Sequence, residues 1–412
     1  MSRGALLRDR ALLALLARDV VSTAGSQMTW VALPWFVITT TGSATKMAVV
    51  VAVEAAALGI VGFASGNLVG RLGLRRTMLV ADACRAPLIA AIPLLHAAGR
   101  LSFPLLLVLV FAVGAFGTPS FVSKAAILPE IVGEDEGVLG EANALLQAAM
   151  RIALVLGPVL AGVLIGVVGA TNVLYIDAAT FLVGFLLIAL FVKVGGAAPE
   201  TEESRGIGAG VRFLLRDSLL RPWSVAIVAG DVAWLAFFVA MPFLVLTRFG
   251  EQPEIIGWIL GAWGLGAVLG SAVMFRVVRR VDGLLVGSIG ELAMIAPLWV
   301  FLPDLPATVL VAAMFASGLA NGLVNAPIWT IFTVRTPPAL RPKAWAAIIA
   351  TTSLLGPLVL LASGSALDSI GLTETLLAIV LVQTAAAFLF ASAGLRERFR
   401  HRAPSVTAGA QV

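Results

Sequence analysis

Apolar stretches long enough to cross a bilayer succeed one another along nearly the whole chain, separated only by short runs of charge, glycine and proline. A helix needs about 20 predominantly apolar residues to cross the hydrocarbon core, and a segment in lipid must satisfy its own backbone, which a helix does. Such stretches fall at about 15–40, 46–69, 77–97, 101–124, 142–168, 172–194, 222–248, 254–275, 284–302, 306–333, 344–367 and 372–395. Twelve spans with short connections use almost all of the 412 residues and leave no room for a separate soluble domain. With 60% hydrophobic and only 12% charged residues, the chain has more apolar surface than a soluble core can hide, so the bilayer must be part of its solvent.

An even number of spans puts both termini on one side. Loops on that side hold Arg71, Arg75, Arg76, Lys124, Lys193, Arg205, Arg212, Arg216, Arg221, Arg276, Arg279, Arg280, Arg335, Arg341 and Lys343, against Lys46, Arg100 and Arg248 on the other. The positive-inside rule then predicts a multi-pass protein of the plasma membrane with both termini cytoplasmic. The net charge of +5 is topology charge spread over short loops, so no nucleic-acid partner is expected. Arg3, Arg8 and Arg10 ahead of an apolar run mimic a signal peptide, but the further spans make an uncleaved first helix the expectation.

Between spans six and seven, Glu200, Glu202 and Glu203 precede Val211, Leu214, Leu215 and Leu219, which are interleaved with Arg212 and Arg216. That pattern predicts a cytoplasmic linker with an amphipathic helix lying on the membrane. The organisation expected is an N-terminal six-helix half, 1–194, the linker, 195–221, a C-terminal six-helix half, 222–395, and a cytoplasmic basic tail, 396–412. One cysteine, Cys84, allows no internal disulfide, and His96 and His401 are too few for a Cys/His metal cluster. No nucleophile–base pair or phosphate loop is visible either, so the chain is expected to be neither an enzyme nor the holder of a metal or cofactor.

The two halves carry a repeat. Val31-Ala-Leu-Pro34-Trp35-Phe-Val-Ile38 in span one returns in span seven as Val239-Ala-Met-Pro242-Phe243-Leu-Val-Leu246, 208 residues later. The same offset maps Gly42 to Gly250, Gly62 to Gly270, Gly114 to Gly322, Pro119 to Pro327 and Pro129 to Pro337, and Leu156-Gly157-Pro158 finds a counterpart in Leu355-Gly356-Pro357. The fold class expected is therefore an all-α polytopic membrane protein of twelve transmembrane helices in two six-helix pseudo-repeats, an arrangement that suits a central site between rocking halves. Gly62-Gly66-Gly70, Gly162-Gly166, Gly257-Gly261 and Gly266-Gly270 have the small-residue spacing that lets helices touch closely.

After span two, Gly66-Asn-Leu-Val-Gly70-Arg71-Leu-Gly73-Leu-Arg75-Arg76 resembles the loop motif of the major facilitator superfamily, with Gly70 where the motif has Asp and Leu74 in place of a basic residue. Asp82-Ala-Cys-Arg85-Ala86, Leu128-Pro129-Glu130, Asn143-Ala-Leu-Leu-Gln147 and Asp177-Ala-Ala-Thr-Phe181 are similar to the branch containing macrolide-efflux pumps, multidrug pumps and the enterobactin exporter. Gly157-Pro158-Val-Leu-Ala161-Gly162 resembles, with fewer glycines, the motif associated with antiporters. The resemblance implies the major facilitator fold, with spans one, four, seven and ten lining a cavity. Gln27, Trp30, Phe116, Asp231, Trp234, Asn321, Asn325 and Trp329 fit that surface as substrate-binding residues.

A charge at bilayer depth costs roughly 2.5–3.5 kcal/mol on insertion scales and needs a partner, water or a purpose. Asp82 and Arg85, three residues apart, are expected to pair on one helix, and Asp19 to pair with Arg18 near the interface. Arg151 has no local partner: it pairs across helices with Glu54 or another acid, or it binds an anionic substrate. Glu54 and Asp231, each roughly 12–13 Å from a span end at 1.5 Å per residue, are the candidates for proton coupling, against the alternative of hydrogen-bonded structural acids. Asp177 is read as structural, and so is Glu291, because span nine is peripheral in the superfamily. Trp223, Trp299 and Trp345, near span ends, read as interface anchors.

The function expected is proton-coupled efflux of a small amphipathic drug or secondary metabolite by a monomer whose other partners are protons and membrane lipids. The alternative is a flippase or uptake carrier for a lipid or siderophore-like compound.

Overall fold

The computed structural model describes residues 9–133, 135–193, 207–277 and 280–402, and these are helical almost throughout. The first half runs α1 (Arg10–Thr41), α2 (Ala44–Leu72), α3 (Leu74–Ala97), α4 (Phe103–Val132), α5 (Glu136–Val168) and α6 (Ala170–Phe191). A short α7 (Ile207–Arg216) precedes α8 (Leu220–Phe249), α9 (Glu254–Val277), α10 (Gly283–Ile295) with a tighter turn over Ala296–Phe301, α11 (Ala307–Arg335), α12 (Arg341–Ser369) and α13 (Leu372–Arg402). No strand occurs among the described residues.

Each expected span falls on one of these helices. Ten are long and apolar enough to cross a membrane, so the chain is an all-α, multi-pass membrane protein. The remaining long helices, α1 and α5, have 32 and 33 residues, about 48 Å at 1.5 Å per residue. They have the length, and α5 carries the apolar stretch Leu156–Val168. Gly42 and Gly250 end α1 and α8 at φ of 64° and 72°, the left-handed region in which a Cβ is penalised. Their 208-residue separation gives the repeat the same stop signal in both halves.

Contacts divide the chain into two compact units. The first gathers the described residues of Met1–Glu203 with Leu235–Gly261 and Ser353–Thr375. It holds α1 to α6 together with the C-terminal part of α8, the start of α9, the C-terminal part of α12 and the start of α13. A Cβ on Gly162 would sit 2.7 Å from the Gly257 Cα, so α5 and α9 meet backbone to backbone. At the same end the Asp368 carboxylate of α12 accepts hydrogen bonds from the backbone N–H of Ala44 and Thr45, both at 2.8 Å, and from Ser43 Oγ at 2.9 Å. It thereby satisfies donors that the start of α2 leaves free.

The second unit gathers the described residues of Ser204–Trp234, Ala262–Thr352 and Leu376–Val412. Here α9 and α11 run together so closely that a Cβ on Gly270 would lie 2.1 Å from the Leu319 carbonyl oxygen, and one on Gly322 2.2 Å from that of Ala267. Leu214 and Leu219 join a core with Trp223, Phe332 and Phe390, whereas Val211 and Leu215 stay exposed. Trp223 is not an interface anchor: it is fully buried, stacked on Phe390 at 4.2 Å, and donates its indole N–H to the Phe390 carbonyl at 3.1 Å. Trp345 likewise stacks inward, on Trp329 at 4.1 Å. Both turn toward a neighbouring helix because ring-on-ring contact is available there, and Trp223 also satisfies its N–H.

Candidate functional site

A cavity of about 290 Å³ lies inside the second unit. From α8 it is faced by Ala226, Ile227, Gly230, Asp231 and Trp234, and from α11 by Asn321, Val324, Asn325, Ile328 and Trp329. Both sets recur at three- and four-residue intervals, so each is one face of its helix. Trp263 of α9, Glu291 and Met294 of α10, and Gln383 and Phe390 of α13 complete the wall.

The polar groups of α11 form a ladder. Asn321 Nδ2 donates to Met294 Sδ at 3.4 Å, Asn325 Nδ2 to Asn321 Oδ1 at 3.1 Å, and Trp329 Nε1 to Asn325 Oδ1 at 2.8 Å. Gln383 Nε2 donates to the Gly230 carbonyl at 3.3 Å. Trp234 and Trp263 stand 5.6 Å apart, and the buried Nε1 of Trp263 has no acceptor among the described residues. Five of the residues picked from sequence thus meet on one surface. Glu291, read as structural, also faces this cavity, and Trp263 and Gln383 were not picked at all.

Gln27, Trp30 and Phe116 belong to the first unit and are not in that wall. Gln27 packs on Gly157, where an added Cβ would come within 2.5 Å of the Gln27 Cβ. Trp30 packs 4.8 Å from Phe238 beside a small apolar void of about 30 Å³. Phe116 is half-buried in α4. Pro158 brings its carbonyl within 3.0 Å of where a Cβ on Gly257 would be, so the Gly157-Pro158 turn of helix serves close packing on α1 and α9.

The charges of the first unit are arranged differently from the local pairs expected. Asp82 pairs with Arg18 and not with Arg85: the Arg18 guanidinium donates to both carboxylate oxygens, at 3.0 and 2.7 Å, and to Ser120 Oγ at 2.8 Å. Asp19 in turn pairs with Lys124 at 2.8 Å. The Arg18–Asp82 pair is buried and the Lys124–Asp19 pair partly so, and a two-pronged Arg–carboxylate contact is geometrically better than an i, i+3 pair on one helix. Arg85 instead lies over the Phe181 ring at 4.1 Å, within Coulombic reach of Asp177, Asp82 and Glu54. Asp177 accepts from Thr29 at 2.5 Å and Thr180 at 3.1 Å. Glu54 has no hydrogen-bond partner among the described residues, and the Arg151 side chain lies outside the described residues.

In the loop motif, Arg75 donates to the Ala189 carbonyl at 2.9 Å and to that of Val192, capping the end of α6 with a cation as the helix dipole favours. Arg71 and Arg76 are exposed. Gly73 takes φ 78° between α2 and α3, and Gly66 lies in a stretch whose packing is outside the description.

Membrane-crossing helices with a polar-aromatic cavity, ion-paired buried charges and no strand among the described residues suit a transporter. The family model described as Major Facilitator Superfamily matches residues 20–360, and the chain belongs to that superfamily. Among curated proteins it is 29% identical to the multidrug efflux pump Tap of Mycolicibacterium fortuitum over 386 residues, 90% of this chain and 92% of the relative. It is 29% identical to Tap of Mycobacterium bovis over 394 residues, 91% of each. Among solved structures it superposes on the nucleoside transporter NupG with a TM-score of 0.70 at 16% identity, covering 93% of this chain and 98% of that one. The inward-facing, unoccupied bacterial homolog of the lysosomal transporter Spinster gives 0.70 at 13% identity, covering 96% and 98%.

Proposed function

We propose that the protein exports an amphipathic organic molecule across the plasma membrane in exchange for protons, by alternating access. The full-length relation to the Tap multidrug efflux pumps carries this reading. The cavity supports it: indole and aliphatic walls with a few amides and two acids suit an amphipathic molecule better than a sugar or a phosphate ester. On this reading a monomer has twelve spans, 1–194 and 222–395 form the two halves, 195–221 links them, the basic tail begins at 396, and both termini are cytoplasmic. Asp231, Trp234, Asn321, Asn325 and Trp329 bind substrate at the cavity, Gln27, Trp30 and Phe116 are the binding candidates of the first unit, and Glu54 and Asp231 exchange the proton. One proton moved inward is worth about 2.3 kcal/mol per 100 mV, enough to raise a neutral substrate roughly fortyfold against its gradient.

Purified protein in liposomes, given a panel of amphipathic dyes, tests this. Acid on the side opposite the termini drives dye toward that side, and a protonophore abolishes the effect. Movement indifferent to both pH and voltage refutes proton antiport, and dye moving with the proton identifies an uptake carrier instead.

A further inference from the structure

The indole of Trp329 sets the direction of the whole ladder on α11. An indole nitrogen can only donate, so Asn325 must turn its carboxamide oxygen to it, which points the Asn325 nitrogen at Asn321. That nitrogen needs acceptors, and finds them in Asn321 Oδ1 at 3.1 Å and the Asn321 carbonyl at 3.3 Å. With its oxygen so engaged, Asn321 has one orientation left, and its nitrogen ends the ladder on Met294 Sδ at 3.4 Å. A thioether is a weak acceptor, and an amide nitrogen has a second proton as well. For that proton there is no acceptor among the described residues: neither Asp231 nor Glu291, in the same cavity wall, accepts from Asn321. Hydrogen bonds running in one sense polarise one another, which strengthens the donor at the end of the row. Met294 lines the cavity beside Asn321, and its unbranched side chain is adaptable enough to yield to a guest.

We propose that Asn321 reads an uncharged oxygen acceptor on the substrate, the carbonyl of a ketone, amide or ester, and that Trp329 is the positioning residue that keeps Asn321 a donor. This deepens the export reading and rests on substrate occupying this cavity. A guest carbonyl takes the Asn321 N–H from the sulfur and replaces a weak hydrogen bond by an ordinary one. A guest with a methylene at that place leaves the ladder as it is, and one with an N–H sets donor against donor. Discrimination of this kind needs no charge on the substrate, so it operates on neutral molecules that the carboxylates of the wall do not distinguish.

The probes are fluorenone, fluorene and carbazole, neutral tricycles of nearly one shape that carry a carbonyl, a methylene and an N–H at the same position. Tritiated compounds are bound to detergent-purified protein by scintillation proximity, with the same micelles without protein as reference. Wild type holds fluorenone about tenfold tighter than fluorene, a difference of about 1.4 kcal/mol. Asn321→Leu, similar in size, removes that preference by weakening fluorenone and not fluorene. Trp329→Phe frees the ladder to turn over, so fluorenone weakens about threefold and carbazole tightens by a similar factor, the change expected of part of one net hydrogen bond. A gain in carbazole binding is something that lost packing does not produce. Equal wild-type affinity for fluorenone and fluorene overturns the assignment, and so does an Asn321→Leu protein that loses both equally. Trp329→Phe weakening all three compounds alike overturns the positioning role. Should Asn321→Leu fail to fold, the wild-type pair and Trp329→Phe still decide. Dye transport in the same protein without a carbonyl preference sinks the Asn321 assignment and leaves the exporter standing, whereas a carbonyl preference without transport does the reverse.

Discussion

Asp217 does for α8 what Asp9, 208 residues earlier, does for α1. Asp9 accepts from the backbone N–H of Ala11 and Leu12 at 2.8 and 2.9 Å, and Asp217 from those of Leu219 and Leu220 at 2.9 and 2.8 Å. The C-terminal copy carries more: Arg335 donates to both of its carboxylate oxygens at 2.9 Å and reaches Glu397 at 2.6 Å.

Burial alone would push the Asp217 carboxyl up, but the Leu220 N–H and the Arg335 guanidinium more than reverse this and hold it below the ordinary carboxylate range. A carboxyl with a depressed folded value contributes stability that is present above its unfolded value, about 3.9, and is lost as pH falls through the folded one. Removing the cap with Asp217→Ala lowers the Tm more than Asp9→Ala, where loss of a cap costs about 1 kcal/mol. Thermal unfolding in detergent across pH shows the Asp217→Ala deficit constant above about pH 4 and shrinking below it. A deficit that grows in acid contradicts the assignment.

Asp82→Ala strands the Arg18 guanidinium in a buried site and destabilises the protein by about 3–5 kcal/mol. The double change Arg18→Met with Asp82→Leu replaces the pair by apolar volume and recovers most of that loss. The double-mutant cycle is read from thermal unfolding. If Arg85→Met proves as costly as Arg18→Met and couples to Asp82 more strongly, the Arg18 pairing is wrong.

Helix positions, the repeat and the polar-aromatic faces of α8 and α11 were legible in the sequence because each is a local periodicity. Partners were not. Arg18 and Asp82 lie 64 residues apart, and nothing local distinguishes Arg18 from Arg85 as the claimant on that carboxylate. Trp223 near a helix end has the sequence signature of an interface anchor, and only the neighbouring Phe390 turns it inward. Glu291, Trp263 and Gln383 escaped for a related reason. A single polar or aromatic residue on an otherwise apolar span looks the same whether it faces lipid, a helix or a cavity, whereas Asn321, Asn325 and Trp329 announce their face by repeating every four residues.

The Asp368 clasp on the start of α2 predicts a change in accessibility at that end of the first unit. Asp368→Ala removes three acceptor contacts at once, at a total of about 1.5–4.5 kcal/mol if each is worth an ordinary net hydrogen bond, so the packing of α12 on the start of α2 loosens. A cysteine at Val51 or Leu360, beside the small void under Trp30, on a Cys84→Ser background, then reacts faster with a small thiol reagent. Asp368→Asn retains one acceptor oxygen and gives an intermediate rate. Equal rates in all three proteins would falsify the clasp as what holds α12 against α2.

Coupling separates the buried acids from one another. In the first unit, Arg18 and Lys124 are matched by Asp82 and Asp19, Thr29 and Thr180 hold Asp177, and Glu54 is left with no direct partner among the described side chains. In the second, Asp231 faces the cavity beside Glu291. An acid that carries the exchanged proton is needed for uphill movement but not for substrate-for-substrate exchange, because the alternation of access depends on the two conformations and not on the proton itself. Glu54→Gln therefore abolishes dye accumulation driven by a pH difference while preserving dye exchange at equal pH. Asp231→Asn abolishes accumulation and also weakens exchange of cationic dyes, because its carboxylate is proposed to touch the substrate as well. Liposomes holding each variant, assayed for accumulation and for counterflow, resolve the two roles. Pumping by Glu54→Gln at the wild-type rate would clear Glu54 and leave the proton to Asp231 and Glu291.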